Sequence, residues 1–451
     1  MGAPEPAQPE RFESQVGLQL FMYPFESIAS ECEFLGAAGI DWVLTSPPQE
    51  HIAGGAWWTV YQPVSYQIEG RLGNREEFSE MVQSCKSHGV DIIADAVINH
   101  MTAQESGTGS AGTEFTKYEY PGLYTREDFH NCNLTPNDQI QNYKDLFQVQ
   151  TCELLGLSDL NQKAPNVQEQ ILVYLNDLLA LGVAGFRIDA AKHIAAADLK
   201  EIVDQLPAGT RVIHEVIRGG GEPVQPEQYL DSGEVWEFDY ARNMRTYFKG
   251  EVVTPAGSLA RFQSFTPSNQ TISFVSNHDT ERNGETLSYK DSRYFELATA
   301  MMLAEDYGQP MLYSGYAFEE FDSGPYETAS GVEPVKCEGV TEPKSEYKNY
   351  EWVCQHRWSS TVSMIEFRDL VQGAEITEKY RERGVYGFAR QGKGYFITNV
   401  FDNKPMSIEV QTTLPDGEYQ DLIDGGSHQI VDGVLKATLD PMSAIALLVR
   451  P

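Results

Sequence analysis

The sequence predicts an α/β protein: a (β/α)8 TIM barrel with an inserted loop domain after strand three and a C-terminal all-β sandwich domain. Three observations predict it. Eight strand-like apolar runs alternate with helical patterns over roughly 370 residues, which favours a closed barrel over an open sheet. A Gly-, Thr-, Asn- and Asp-rich stretch, 102–160, interrupts that alternation once. From about Gly373 the helical periodicity stops and short strands separated by turn signals take over. The division expected is 1–101 with 161–372 for the barrel, 102–160 for the insert and 373–451 for the β domain.

The first strand is read at 16–22, followed by a helix over 26–36. A second strand, 42–45, is closed by Pro47-Pro48. Residues 75–88 are helical, because Phe78, Met81, Val82 and Cys85 fall on one face. The run 90–98 is almost continuously apolar, as a strand covered on both faces requires, and it breaks off at Asn99-His100. After the insert, Pro165-Asn166 opens a helix whose face is Val167, Ile171, Tyr174, Leu175 and Leu178, and Gly182 ends it. Strands follow at 183–188, 211–216, 235–238, 271–275 and 311–314. In the last part the strands expected are 385–390, 394–400, 406–412, 418–421 and 444–449.

Composition narrows the function. The 33 basic and 66 acidic residues give a net charge of −33, which excludes nucleic acid as a partner on bulk electrostatics. No run of about eighteen apolar residues is present, so no membrane span is expected. The start, Met1-Gly2-Ala3-Pro4-Glu5-Pro6-Ala7-Gln8-Pro9, is polar and Pro-rich and is not an intact secretion signal. The six cysteines show no CxxC pair, which argues against zinc. Their even number allows three disulfides, which suits an exported protein, but six cysteines admit fifteen pairings.

Chemistry in such a barrel sits at the C-terminal strand ends. The third strand carries Asp95 and ends in Asn99-His100; the fourth ends Arg187-Ile188-Asp189; the fifth ends His214-Glu215; the seventh ends Asn277-His278-Asp279. Alone, Arg187 and Asp189 read equally well as a core ion pair. Together, Asp189, Glu215 and Asp279 put three carboxylates from three strands at one mouth. Their mutual repulsion raises at least one pKa, giving a proton donor beside an ionised nucleophile, the apparatus of glycoside hydrolysis.

The segments Asp95-Ala96-Val97-Ile98-Asn99-His100, Gly185-Phe186-Arg187-Ile188-Asp189, His214-Glu215 and Phe274-Val275-Ser276-Asn277-His278-Asp279 resemble, in order and spacing, the four motifs of the α-amylase family, glycoside hydrolase family 13. Trp57-Trp58-Thr59-Val60-Tyr61-Gln62-Pro63-Val64-Ser65-Tyr66 and Trp352-Val353-Cys354-Gln355-His356-Arg357-Trp358 are similar to the animal-type subgroup, which includes bacterial members. The resemblance runs from about Val16 to the C-terminus. It implies Asp189 as nucleophile, Glu215 as general acid and base, Asp279 as transition-state stabiliser, and retention of anomeric configuration. The implied substrate contacts are Trp57, Trp58, Tyr61, Gln62, Asp95, His100, Tyr143, Leu154, Leu157, Arg187, Lys192, His193 and His278. Aromatic planes suit the apolar C–H faces of sugars. The substrates implied are starch, glycogen and malto-oligosaccharides, cleaved at internal α-1,4 bonds by a secreted monomer.

The resemblance also implies calcium (Ca2+), held by the side chains of Asn99 and Asp159 and the backbone carbonyls of Gln150 and His193, an all-oxygen set of the kind a hard cation takes. It pairs Cys32 with Cys85, Cys132 with Cys152 and Cys337 with Cys354. One departure bears on chloride, which many animal-type enzymes bind: Arg187 and Asn277 match two ligand positions, but Met311 stands at the third and supplies neither charge nor N–H. Chloride activation is therefore not expected. The rival readings are a maltose-forming hydrolase or transglycosylase with the same triad, separable by its products on amylose, and a catalytically inactive carbohydrate-binding barrel, against which the intact triad argues.

Overall fold

The computed structural model describes residues 15–250, 265–328 and 331–450; the Pro-rich start lies outside them. Eight parallel strands close into a barrel: β1 (Gly17–Leu20), β2 (Trp42–Thr45), β3 (Asp91–Ala96), β4 (Gly185–Ile188), β5 (Arg211–His214), β6 (Glu234–Trp236), β7 (Thr271–Phe274) and β8 (Gln309–Ser314). Each strand pairs with its sequence neighbours, and β1 closes the ring by pairing with both β2 and β8. The two expected helical faces are buried, Phe78 to Cys85 in the helix Arg75–Ser87 and Val167 to Leu178 in the helix Pro165–Ala180.

Inside the barrel the period of two along each strand sorts residues by height. The lower interior is apolar: Trp42, Leu44, Ile93, Ile213, Trp236, Ile272, Phe274 and Met311 belong to one buried cluster. Two residues further along, the same faces turn polar, from Ile93 to Asp95, from Ile213 to Glu215 and from Gly185 to Arg187. Gly17 is required at the bottom, since a Cβ there would stand 2.0 Å from the Trp42 ring.

Between β3 and the helix Pro165–Ala180 the chain forms a hairpin (Ser106–Thr108 with Glu114–Thr116), short helical turns and long irregular stretches. The disulfide Cys132–Cys152 closes part of it; Cys32–Cys85 joins the first two barrel helices, and Cys337–Cys354 staples the segment after β8. All three pairs are those the resemblance implied.

The C-terminal part holds β9 (Ile376–Glu382), β10 (Val385–Arg390), β11 (Gly394–Asn399), β12 (Met406–Gln411), β13 (Gly417–Gln420), β14 (Ser427–Val431), β15 (Val434–Leu439) and β16 (Ser443–Leu448). They form two antiparallel sheets, ordered β9-β10-β11-β16 and β12-β15-β14-β13. A separate apolar cluster, including Val385, Ile397, Val410, Leu435 and Leu447, lies between them.

Candidate active site

Arg187 is the hub. It points up from β4, fully buried, with its guanidinium 4.7 Å from the Trp236 ring below. Its Nη1 donates to Asp95 Oδ1 and to Asp189 Oδ1, both at 2.7 Å, and its Nη2 lies 2.6 Å from Glu215 Oε1. Register explains the meeting: Asp95 pairs across the sheet with Arg187, and Ile188 with His214, so the next residue on each strand, Asp189 and Glu215, reaches the rim at one level. Ala190 then turns left-handed, with φ 48°, and aims its N–H at Glu215 Oε2, 2.8 Å away. That conformation costs an L-residue about 1–2 kcal/mol, and it gives the glutamate a fixed orientation.

Asp279 completes the set from the end of β7. Asn277 holds it: the buried Asn277 Oδ1 accepts from the backbone N–H of Asp279 (3.1 Å) and of Thr280 (2.9 Å). Its amide oxygen thereby braces the backbone that carries one of the carboxylates.

One guanidinium cannot neutralise four carboxyls. Burial raises Asp189, Glu215 and Asp279 above their ordinary values; Arg187 opposes the rise, and the like charge of the neighbours adds to it. Burial pushes Asp95 up to about 8, although Arg187 and the Tyr61 hydroxyl (3.0 Å) both donate to it. The site therefore retains protons on carboxyl groups at pH values where exposed carboxyls have lost them.

Two histidines flank the carboxyls, each in a defined tautomer. Asn99 Nδ2 donates to His100 Nδ1 (3.1 Å) and His100 Nε2 donates to the Tyr61 carbonyl (3.0 Å). Gln19 Nε2 donates to His278 Nδ1 (3.0 Å), which leaves Nε2 facing Asp279, 3.7 Å away. Tyr61 and Phe21 both stack on the His278 ring, with centroids 5.1 and 5.0 Å away. Burial pushes His100 down to about 4 and His278 well below its usual value, so both are neutral donors and acceptors.

The remaining expected contacts divide by exposure. Trp57 is nearly buried, its Nε1 donating to the Phe321 carbonyl (3.0 Å); Trp58 is half-buried, its Nε1 donating to Asp322 Oδ1 (2.9 Å). Gln62 turns its amide oxygen to Thr102 Oγ1 and Ala103 N, tying the β2 loop to the insert. Tyr143 is exposed, with Lys192 Nζ 5.3 Å from its ring centre and His193 edge-on at 6.0 Å. Lys192 Nζ is held by the Ile217 carbonyl (2.8 Å) and by Glu222. Leu154 and Leu157 are half-buried, whereas Leu155 between them is, among the described residues, the most exposed large apolar side chain, at 81%.

Around the expected calcium ligands, Asn99 Oδ1 is buried without a hydrogen-bond partner, because Asn99 Nδ2 is the atom engaged by His100. Asp159 Oδ2 pairs with His130 Nδ1 (2.7 Å), and burial nonetheless pushes Asp159 up to about 6. His193 Nδ1 donates to the carbonyl of Val149, next to Gln150. A buried orphan oxygen on Asn99, and an under-neutralised carboxylate on Asp159, which bridges to the neighbouring His100, are what an oxygen-loving cation relieves.

Sequence reasoning missed Gln19, His130, Glu222 and Ala190. Only Gln19 left a signal, a lone amide in the apolar run Val16-Gly17-Leu18-Gln19-Leu20-Phe21.

A closed parallel barrel that gathers three carboxylates and a shared arginine at its C-terminal mouth defines a glycoside hydrolase. The α-amylase catalytic-domain model matches residues 43–254, and the bacterial α-amylase C-terminal-domain model matches residues 378–443. An α-amylase of Streptomyces violaceus is 42% identical over 443 residues, covering 97% of this chain and 74% of that protein. An α-amylase-related protein of Drosophila mauritiana is 38% identical over 448 residues, covering 92% and 86%. The structure of an α-amylase I variant of Eisenia fetida in complex with maltohexaose superposes with a TM-score of 0.89 at 29% identity, covering 97% of each chain. The chain belongs to the α-amylase family.

Proposed function

We propose that the protein is a secreted, retaining, endo-acting α-amylase that hydrolyses internal α-1,4-glucosidic bonds of starch, glycogen and malto-oligosaccharides as a monomer. The single observation that carries the reading is Arg187, which touches Asp189 and Glu215 with different nitrogens of one guanidinium. Carboxyls bridged in this way are neighbours. Such a pair suits retention, which takes a separation of about 5–5.5 Å, rather than inversion, which takes about 6.5–9.5 Å.

In the first step an Asp189 oxygen attacks the anomeric carbon while Glu215 gives its proton to the departing glycosidic oxygen. The products are a glycosyl ester on Asp189 and a shortened glucan. In the second step Glu215 takes a proton from water, the hydroxide attacks the same carbon, and Asp189 leaves as carboxylate. Arg187 favours the ionised form of Asp189 at the start and end. Asp279 faces the sugar and gains strength as positive charge develops on the ring, while the Nε2–H of His278 serves as a hydrogen-bond donor beside it. His100 and Asp95 line the floor of the same subsite. Tyr143, Lys192 and His193 serve the leaving-group side, with Leu154 and Leu157; Trp57, Trp58, Tyr61 and Gln62 shape the other.

Calcium would be held by Asn99 and Asp159 with the carbonyls of Gln150 and His193, and would tie the insert (102–160) to the rim of β3. No bond-making step passes through it. Met311 packs in the apolar barrel cluster with Trp42 and Phe274 and offers chloride no donor. The three disulfides support export, and no helix among the described residues is long and apolar enough to cross a membrane.

Isosteric removal of the nucleophile tests the reading. Asp189→Asn is expected to lower kcat on soluble starch by about four to six orders of magnitude while leaving the circular dichroism spectrum unchanged. Undiminished turnover in that variant would sink the assignment.

A further inference from the structure

Large aromatic side chains are normally covered, and a cluster left in solvent on a rigid support marks a surface that something else covers. The loop after β8 carries two of them, Phe321 at 53% and Tyr326 at 54% exposure. A third, Tyr350, comes from the next segment at 39% exposure, and its ring lies 6.3 Å from that of Tyr326 at an angle of 51°.

The support is rigid. Tyr350 N donates to the Ala317 carbonyl and Ala317 N to the Glu351 carbonyl, both at 2.7 Å, and Trp352 bridges Tyr316 beneath. Tyr350 itself sits at φ 70°, a left-handed conformation unusual for an aromatic residue. The Tyr326 side of the loop is clamped to the Trp57 loop. Ser323 bridges Ala56, Asp322 accepts from Trp58, and Arg71 is paired with Glu327. Phe321 is the link: its exposed ring stands edge-on to Trp57, centroids 6.2 Å apart. The aromatic surface thus begins at the wall of the cleft and continues outward on one clamped loop.

Resting on the amylase reading, we infer that Tyr326 and Tyr350 form a second carbohydrate platform outside the cleft, which holds an α-1,4-glucan segment of the polymer being cut. Two inclined rings match the curved apolar face of such a chain, as aromatic planes match sugar C–H faces. Phe321 would guide the chain toward Trp57. The platform contributes no catalytic group. It raises the local concentration of polymer at the cleft, so its effect grows with chain length and vanishes for ligands too short to span both places.

The test compares the full chain with its Tyr326→Ala/Tyr350→Ala and Tyr326→Phe/Tyr350→Phe double variants. Adsorption to granular starch is measured with all three also carrying Glu215→Gln, so that the granule is not consumed. The alanine pair is expected to adsorb about tenfold more weakly and the phenylalanine pair nearly as well as the parent. With Glu215 restored, kcat/KM of the alanine pair on a chromogenic maltotrioside is expected to stay within about twofold of the parent. Equal adsorption of the alanine variant overturns the platform, as does an equal loss on the short substrate. Loss of a dimer in sedimentation with adsorption unchanged would assign the tyrosines to a second copy of the chain and also overturns it. Failure of the unsubstituted protein to cut any malto-oligosaccharide would count against the amylase reading instead, since adsorption is scored without turnover.

Discussion

Asp95, Asp189 and Glu215 share one buried guanidinium, Arg187, whose charge also reaches Asp279, and that shortage sets the pH response. Burial and like charge raise Glu215, so its proton is held above pH 4.5, where an ordinary glutamate is half ionised, and is lost only as pH climbs through the raised value. Asp189 is raised too, so the active ionised form is lost on acidification at a pH above the ordinary 3.8. A bell-shaped kcat/KM profile is expected, with the acid limb reporting Asp189 and the alkaline limb Glu215, displaced upward from both reference values. Initial rates on maltopentaose across pH check it; an alkaline limb at or below pH 4.5 would contradict the assignment. The carboxyls and the arginine were legible because ionisable residues ending apolar runs are chemically expensive. Gln19 and the Ala190 turn were not, since their roles lie in orientation: an amide selects a histidine tautomer, and a left-handed alanine aims one N–H. Neither leaves a pattern in composition or spacing.

At the scale of elements, the barrel strands were legible because burial on both faces writes them as continuous apolar runs. Three strands of the C-terminal domain were not. The edge strand β9 reads Ile-Thr-Glu-Lys-Tyr-Arg-Glu and is exposed along most of its length, and β14 and β15 are mostly polar where they face solvent. Tertiary pairing, and not local hydrophobicity, makes them strands. The insert is the opposite case: its lack of periodicity sets it apart in the sequence but carries no local signal for its path. Its attachment gives the next prediction. If calcium ties the insert to β3 through Asn99 and Asp159, chelation is expected to lower the melting temperature and open 102–160 to limited proteolysis before the barrel yields. Calcium re-addition is expected to restore both. Identical melting and cleavage with and without chelator would reject the ligand set.

For the whole molecule, charge is the governing quantity. Burial pushes Asp95 and Glu305 up to about 8 and Glu281 up to about 7, against ordinary values of 3.8 and 4.5. Burial pushes six histidines down, so below about pH 6.5 they oppose the carboxyls; above about pH 7 they are neutral in both states, the folded chain binds more protons than the unfolded chain, and stability falls as pH rises. The net charge of −33 adds self-repulsion that grows on the same side. The melting temperature is expected to be higher near pH 7 than at pH 8.5, and added salt to recover more of it at pH 8.5, where screening has more repulsion to remove. Scanning calorimetry at the two pH values, with and without sodium chloride, measures both. The proposed mechanism requires Asp189 to bond to the sugar, and trapping that bond tests it most directly. Incubation with a 5-fluoro-α-glycosyl fluoride, which forms the ester faster than it is hydrolysed, followed by mass spectrometry, is predicted to add one fluorosugar to the peptide containing Asp189. A turnover-competent enzyme that carries the label on Glu215 or Asp279, or that yields no adduct, would contradict it.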